Sequence, residues 1–324
     1  MTISVLRPGV LTTVQDLGRT GFQHVGVVTG GAMDPVALAL ANALVGNSVD
    51  AAPLEIAILG PELVFAEETL VALCGAEFHG FPAQRPVLVP AGGKISLGRS
   101  QRGARGYLAV AGGIAVEPVL GSRSTYIPAR FGGYFGRALR RGDVISLDAQ
   151  ASIVSRQRFA KLRRRKGNTV QWRAPMPTLP EHEPVVVHAM ESQDYASFDT
   201  ASQRAFFDAT WKVAPESNRM GFRMSGPPLG RPEGSEILSG PICLGTVQVP
   251  ASGTPIALMA DHQTTGGYPR IAEIASADVP RLAQLAPGGT VRFARCSLET
   301  AVELRRDAKR RLDALMQGIE WELR

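Results

Sequence analysis

The chain opens on an alternation of apolar and polar residues from Thr2 to Leu6, closed by Pro8-Gly9, which predicts a short strand. A polar, glycine-rich stretch follows from Thr12 to Gly21. Then comes a helix signal. Asp34 carries a side-chain oxygen suited to cap a first turn, Pro35 suits the first helical position, and Gly46 suits the stop. Residues 35–45 are rich in Ala and Leu with almost no polar face, so this helix is expected to be buried.

Beyond it the pattern turns to β. Short apolar runs at 54–59, 69–74, 87–89, 107–110 and 144–147 are broken by Gly or Pro. Three segments share a glycine turn followed by an alternating strand: 92–97, 141–147 and 287–293. That repetition hints at related β units. Val185-Val186-Val187 and Pro255–Met259 predict a second set of strands. In the tail, Leu298, Val302, Leu312, Leu315, Met316 and Ile319 recur at helical spacing with charges between them, which predicts an amphipathic helix. The expected fold is mainly β with a few helices. Its parts are an N-terminal β-rich domain over 1–155 containing helix 35–45, a basic, Pro-containing linker over 156–184, a second β domain over 185–297, and the C-terminal helix over 298–324.

Composition supports the β reading, because 35 glycines and 23 prolines in 324 residues suit turns better than a helix bundle. The net charge of +6 changes the picture less than its size suggests. Arg156, Arg158, Lys161, Arg163, Arg164, Arg165 and Lys166 hold seven cations and no acid, more than the whole excess. One solvated basic stretch, with no interleaved aromatic platform beyond Phe159, does not make a nucleic-acid face, and no nucleic-acid partner is expected. Cys74, Cys243 and Cys296 stand far apart, form no CxxC pair and are odd in number, which fits a reducing compartment with the thiols buried as small apolar groups. No basic start followed by an apolar run marks a secretory signal, and the longest apolar stretch is too short to span a bilayer. A soluble, cytoplasmic protein with no membrane partner is expected.

Several common chemistries are excluded by motif. Gly93-Lys94 is followed by Ile95 rather than Ser or Thr, so there is no phosphate-binding P-loop. Neither a GxGxxG after a strand nor a GxSxG elbow is present. His182-Glu183 and His188 superficially suggest zinc, but six residues along a strand separate two side chains by about 20 Å. No metal site is expected.

Three polar clusters remain. Asp261-His262-Gln263-Thr264-Thr265-Gly266-Gly267-Tyr268 follows an apolar strand and sets six polar side chains around two glycines. The glycines would let the backbone approach a ligand or take positive φ. Gln263 donates and accepts at once, which suits an amide, lactam or ureido group, and Asp261 would serve as base or orient a donor. Ser217-Asn218-Arg219-Met220-Gly221 offers the planar fork of Arg219 to a carboxylate or phosphate. Gly121-Ser122-Arg123-Ser124-Thr125-Tyr126 has the small hydroxyl residues of an anion nest, with Arg123 adding charge. Each also reads as an ordinary polar turn.

Taken in order, these clusters resemble one family, the biotin-dependent carboxyltransferase-like or allophanate hydrolase subunit 2 family. It includes the C subunit of bacterial 5-oxoprolinase and the kinase-inhibitor antagonist KipA. The resemblance runs from about residue 5 to residue 295. It is carried by Thr12-Thr13-Val14-Gln15-Asp16 with Gly18-Arg19, Gly31-Ala32-Met33-Asp34, Ala41-Asn42 with Leu44-Val45-Gly46-Asn47, and Tyr107-Leu108-Ala109-Val110 with Gly112-Gly113-Ile114. Leu120 to Thr125, Ser217 to Gly221, Gln248-Val249-Pro250, and Asp261 with Gln263 to Tyr268 complete it. His262 stands where the family usually has Arg, which points to a weaker or pH-dependent anion contact.

The resemblance implies cyclophilin-like β-barrel domains and a chain that works beside a B subunit, a protein like allophanate hydrolase subunit 1. The first reading is the C subunit of an ATP-dependent 5-oxoprolinase, inactive alone, which with the A and B subunits opens the lactam of 5-oxoproline to glutamate. Asp261, Gln263 and Tyr268 would be catalytic, with Thr264, Asn218, Arg219 and Arg123 holding substrate. A second reading is a urea carboxylase-like carboxyltransferase. Having no biotinyl Met-Lys-Met segment, the chain would use biotin only through a separate carrier. The third is a non-catalytic, KipA-like regulatory protein. The expectation beneath these readings is that patches near 123, 219 and 263 converge in one cleft for a flat, amide-like molecule; in the third reading the clusters would serve a partner interface instead.

Overall fold

The computed structural model describes residues 1–148, 151–176, 179–180, 183–230 and 237–323. It divides into two compact units. The first comprises Met1–Arg19, Gly30–Thr178 and Arg311–Arg324; the second comprises Thr20–Thr29 and Leu179–Arg310.

The first unit is built on β1 (Thr2–Arg7), β2 (Leu11–Val14), β3 (Leu54–Ala57), β4 (Glu62–Phe65), β5 (Thr69–Phe78), β6 (Pro86–Val89), β7 (Lys94–Ser96), β8 (Ser100–Val110) and β9 (Val144–Ser146). They form a four-stranded sheet ordered β7-β4-β1-β9 and a five-stranded sheet ordered β2-β3-β8-β5-β6. Alternation along the strands sends Ile3, Val5, Leu63, Phe65 and Ile145 of one sheet and Val14, Ile56, Leu73 and Leu108 of the other into a shared core. The outer face of the larger sheet is covered by α1 (Pro35–Val45), whose Leu38, Leu40 and Leu44 are fully buried. Asp34 caps α1 by accepting from the Ala37 N–H, and Gly46 ends it at φ +78°, as the sequence predicts.

The basic stretch expected to be a linker is largely a helix. Helix α2 (Ile153–Arg163) starts at Ser152, whose Oγ accepts from the Ser155 N–H, and it buries Ser155, Arg158 and Leu162. Three buried positions in an otherwise charged run leave too faint a period to see in the sequence.

The second unit holds β10 (Val185–Glu191), α3 (Thr200–Asp208), β11 (Trp211–Val213), β12 (Gly221–Ser225), β13 (Gly240–Pro241), β14 (Thr246–Gln248), β15 (Ile256–Leu258), β16 (Thr265–Gly266), β17 (Arg270–Ile274), α4 (Val279–Ala283) and β18 (Thr290–Arg295). Seven strands close a barrel in the order β10-β17-β14-β15-β12-β11-β18, sealed by parallel pairing of β18 with β10. Trp211, Phe222, Met224 and Phe293 fill its interior, and Phe206 of α3 stacks on Phe293 with ring centroids 4.6 Å apart. Helix α5 (Leu298–Leu323) is the predicted amphipathic tail. Its last turns place Ile319 and Leu323 in the apolar cluster around α1.

Of the cysteines, only Cys74 is buried; Cys243 is exposed and Cys296 intermediate, so the expectation of three buried thiols is corrected. Among the described residues no helix is long and apolar enough to cross a membrane, and no cluster of His, Cys, Asp or Glu could hold a metal. His182 lies outside the described residues, while His188 pairs its Nδ1 with Asp278 at 2.7 Å.

Candidate functional site

The loop after β15 is locked before it can do anything else. The Asp261 N–H donates to the Arg219 carbonyl at 2.8 Å, and the Arg219 guanidinium donates from Nε and Nη2 to the two Asp261 oxygens at 2.9 Å each. Both side chains are buried, 6% and 3% exposed. A bidentate pair out of water is a rigid joint, because separating it strands a charge. The expectation that Arg219 grips an external anion and that Asp261 acts as base is therefore recast: each already has the other as its partner. Asn218 shapes the same turn by accepting the Met220 N–H at 2.8 Å.

Beyond the joint, β16 pairs with β13, matching Gly266 with Gly240 and Thr265 with Pro241. The Gln248 side chain donates to the Tyr268 carbonyl at 3.3 Å. Neither Gly266 nor Gly267 has positive φ. Gly266 is needed for close approach, but to the protein itself: a Cβ there would stand 2.5 Å from the Gln248 amide nitrogen. Of the expected site residues, the loop leaves open the side chains of Gln263 and Thr264, both half-buried, and of Tyr268, 49% exposed; Thr265 beside them is exposed too. None of the three has a hydrogen-bond partner for its side chain among the described residues.

His262 is half-buried. Burial holds its imidazole below the ordinary value, against the pull of the Gln263 carbonyl and the Asp261 charge. Its Nδ1 lies 2.6 Å from the Gln263 carbonyl oxygen, an acceptor, so Nδ1 carries the proton and Nε2 is the acceptor face of a neutral ring. His262 does not supply the fixed charge of an arginine.

Arg123 belongs to the first unit. The nest expected around it is filled from within. Asp16 accepts the Arg123 N–H on one oxygen and the Ser122 and Ser124 hydroxyls and the Gly18 N–H on the other. Those donors are thus not offered to an outside anion. The Arg123 guanidinium is exposed, and its Nε donates to the Val116 carbonyl at 3.0 Å.

Other motifs of the first unit also bind one another. Tyr107 donates to Glu55 at 2.7 Å and accepts the Asp34 N–H at 2.8 Å, and burial beside two carboxylates raises its phenol well above the ordinary range. Asn47 accepts the Gly112 N–H at 2.9 Å. One group that sequence reasoning missed is Glu273, whose oxygens accept the Thr246 and Ser192 hydroxyls at 2.7 and 2.9 Å. Burial raises its carboxyl. It lines an open groove of about 800 Å³ with Arg270 and Arg295, which contains none of the expected site residues. Scattered over three strands, these groups leave no local signal.

A carboxyl-free set of amide, hydroxyl and phenol groups on a loop braced by a buried ion pair has the donors and acceptors to meet a neutral polar group. The family is plain: the model of the carboxyltransferase domain, subdomain A and B, matches residues 25–295, and the chain belongs to that family. It is 39% identical to the C subunit of the 5-oxoprolinase of Escherichia coli (strain K12), covering 97% of both chains. It is 35% identical to the same subunit in Haemophilus influenzae, covering 98% of this chain and 99% of that one. The crystal structure of the K. lactis urea amidolyase superposes with a TM-score of 0.86 at 30% identity over 97% of this chain, which spans 20% of that protein.

Proposed function

We propose that this chain is the C subunit of an ATP-dependent 5-oxoprolinase. In complex with the A subunit and a B-type partner similar to allophanate hydrolase subunit 1, it would open the lactam of 5-oxoproline to glutamate, and it would be inactive alone. The observation that carries this reading is the match to the 5-oxoprolinase C subunit along nearly the full length of both chains. Opening the lactam adds water across a planar C–N bond. Gln263 can meet both halves of that group, its amide nitrogen donating to the carbonyl oxygen and its oxygen accepting the ring N–H. Thr264 and Tyr268 supply further donors, and Asn218 would hold a polar substituent. Arg219 and Asp261 act as positioning residues, holding the loop in register. ATP would be bound at the level of the complex. The test is ATP-dependent glutamate release by the reconstituted complex. Gln263→Ala should cut turnover by at least tenfold, and unchanged turnover removes Gln263 from the site.

The superposition on urea amidolyase supports a second reading, a carboxyltransferase component fed by carboxybiotin on a separate carrier. A strict requirement for a biotinylated carrier would favour it; turnover without one would dismiss it. Tight binding of the B-type partner with no ATP turnover under any condition would point instead to the non-catalytic, KipA-like role.

A further inference from the structure

The first unit holds an open groove of about 590 Å³ whose lining includes Val116, Glu117, Arg130 and the turn Gly132-Gly133-Tyr134-Phe135. The backbone of this turn is unusual in its signs. The φ angles are +69° at Gly132, +54° at Gly133 and +53° at Phe135, with Tyr134 between them negative. Where the sign of φ reverses between neighbours, at Gly133-Tyr134 and again at Tyr134-Phe135, successive N–H groups can face one side, as in a backbone nest. The N–H groups of Gly132, Gly133, Tyr134 and Phe135 donate to no acceptor among the described residues, although Gly132 is buried and the next N–H, of Gly136, is satisfied by the Gly132 carbonyl at 2.8 Å. A buried backbone donor such as that of Gly132 is otherwise almost always paired. Phe135 holds a left-handed conformation that a bulky residue adopts only under constraint, and the residue is 78% exposed.

We propose that the Gly132–Phe135 turn is an anion cradle that takes an oxyanion, phosphate or carboxylate, from a ligand lying in this groove. The N–H groups of the turn, that of buried Gly132 among them, and the Arg130 guanidinium, which has no ion-pair partner among the described residues, favour negative charge beside the one carboxylate of the lining, Glu117. Exposed Phe135 gives a planar portion of the ligand a face to stack on. The cradle uses no residue of the 261–268 loop, so it stands or falls independently of the lactam reading.

The experiment titrates the full chain with inorganic phosphate, acetate and ADP, read by calorimetry and by amide shifts of residues 132–135. The wild type should bind at least one of them with shifts centred on these amides. Tyr134→Pro deletes one donor at a position of negative φ and should weaken binding about tenfold. Tyr134→Ala, which loses the same ring but keeps the N–H, should stay within threefold of wild type. Phosphate and ADP binding without acetate assigns the cradle to phosphates, and tighter binding of ADP than of phosphate assigns the remainder of the groove to the nucleoside. Acetate binding extends the cradle to carboxylates. Absence of binding by the wild type, shifts elsewhere, or equal affinity of Tyr134→Pro and Tyr134→Ala would overturn the proposal.

Discussion

At the scale of the residue, the Arg219–Asp261 pair sets the strongest constraint. Removing one buried partner strands the other charge, so Arg219→Met should destabilise the second unit by about 3–5 kcal/mol in urea unfolding. Arg219→Met with Asp261→Leu should recover most of that loss, because an apolar pair leaves no stranded charge. His262 sets a pH dependence. Its folded value lies below its unfolded value near 6.5, so the unfolded chain takes up the proton first. Stability from this group is therefore full above pH 6.5 and falls as pH drops from there through the folded value. Chemical denaturation at pH 7.5 and 5.5 should show a smaller acid loss for His262→Gln than for wild type. Glu273 works in the opposite direction. Burial raises its folded value above the ordinary 4.5, so ionisation opposes folding and Glu273→Gln should be neutral or stabilising at pH 7.5.

At the scale of the element, α1 and α5 are legible because their signals are local. An Asp-Pro start and a Gly stop mark α1 without reference to any partner, and a 3.6-residue period over 26 residues marks α5. Gly318 sits inside α5 with open space where a Cβ would stand, so Gly318→Ala should raise stability by roughly 0.5–1 kcal/mol in thermal unfolding. One residue further on, Ile319 is 3% exposed, and Ile319→Ala should cost about 2–5 kcal/mol. Helices α2 and α3 escape the sequence for the reverse reason. Helix α2 buries three of eleven residues and imposes no clear period, while α3 is amphipathic but only nine residues long, too few turns to stand out. Strand β2 reads as a polar stretch, yet Thr12 and Thr13 are buried, because the Thr12 hydroxyl donates to the Pro8 carbonyl and the Thr13 hydroxyl accepts from Gln15.

At the scale of the whole molecule, each unit has its own core and each contains motifs that carry the family resemblance. Several of these are joinery: Asp16 with Ser122 and Ser124, Tyr107 with Glu55 and Asp34, Arg219 with Asp261. Among the expected site residues of the 261–268 loop, Gln263, Thr264 and Tyr268 remain open. If the chain works as one member of a complex, its partner should stabilise it by mass action. Its thermal midpoint should rise with the concentration of the B-type protein, and a midpoint independent of partner concentration would argue against a stable complex.

By itself the sequence settled the mainly β class, the capped helix 35–45, the C-terminal helix and the family, since propensity, periodicity and ordered motifs are written in neighbouring residues. Only the tertiary structure decided what the motif side chains touch. The ion pair joins residues 42 positions apart and the Asp16 cluster joins residues 106 to 108 apart. Whether a buried carboxylate meets a ligand or its own chain depends on the path of the backbone between them, and no local pattern encodes that path.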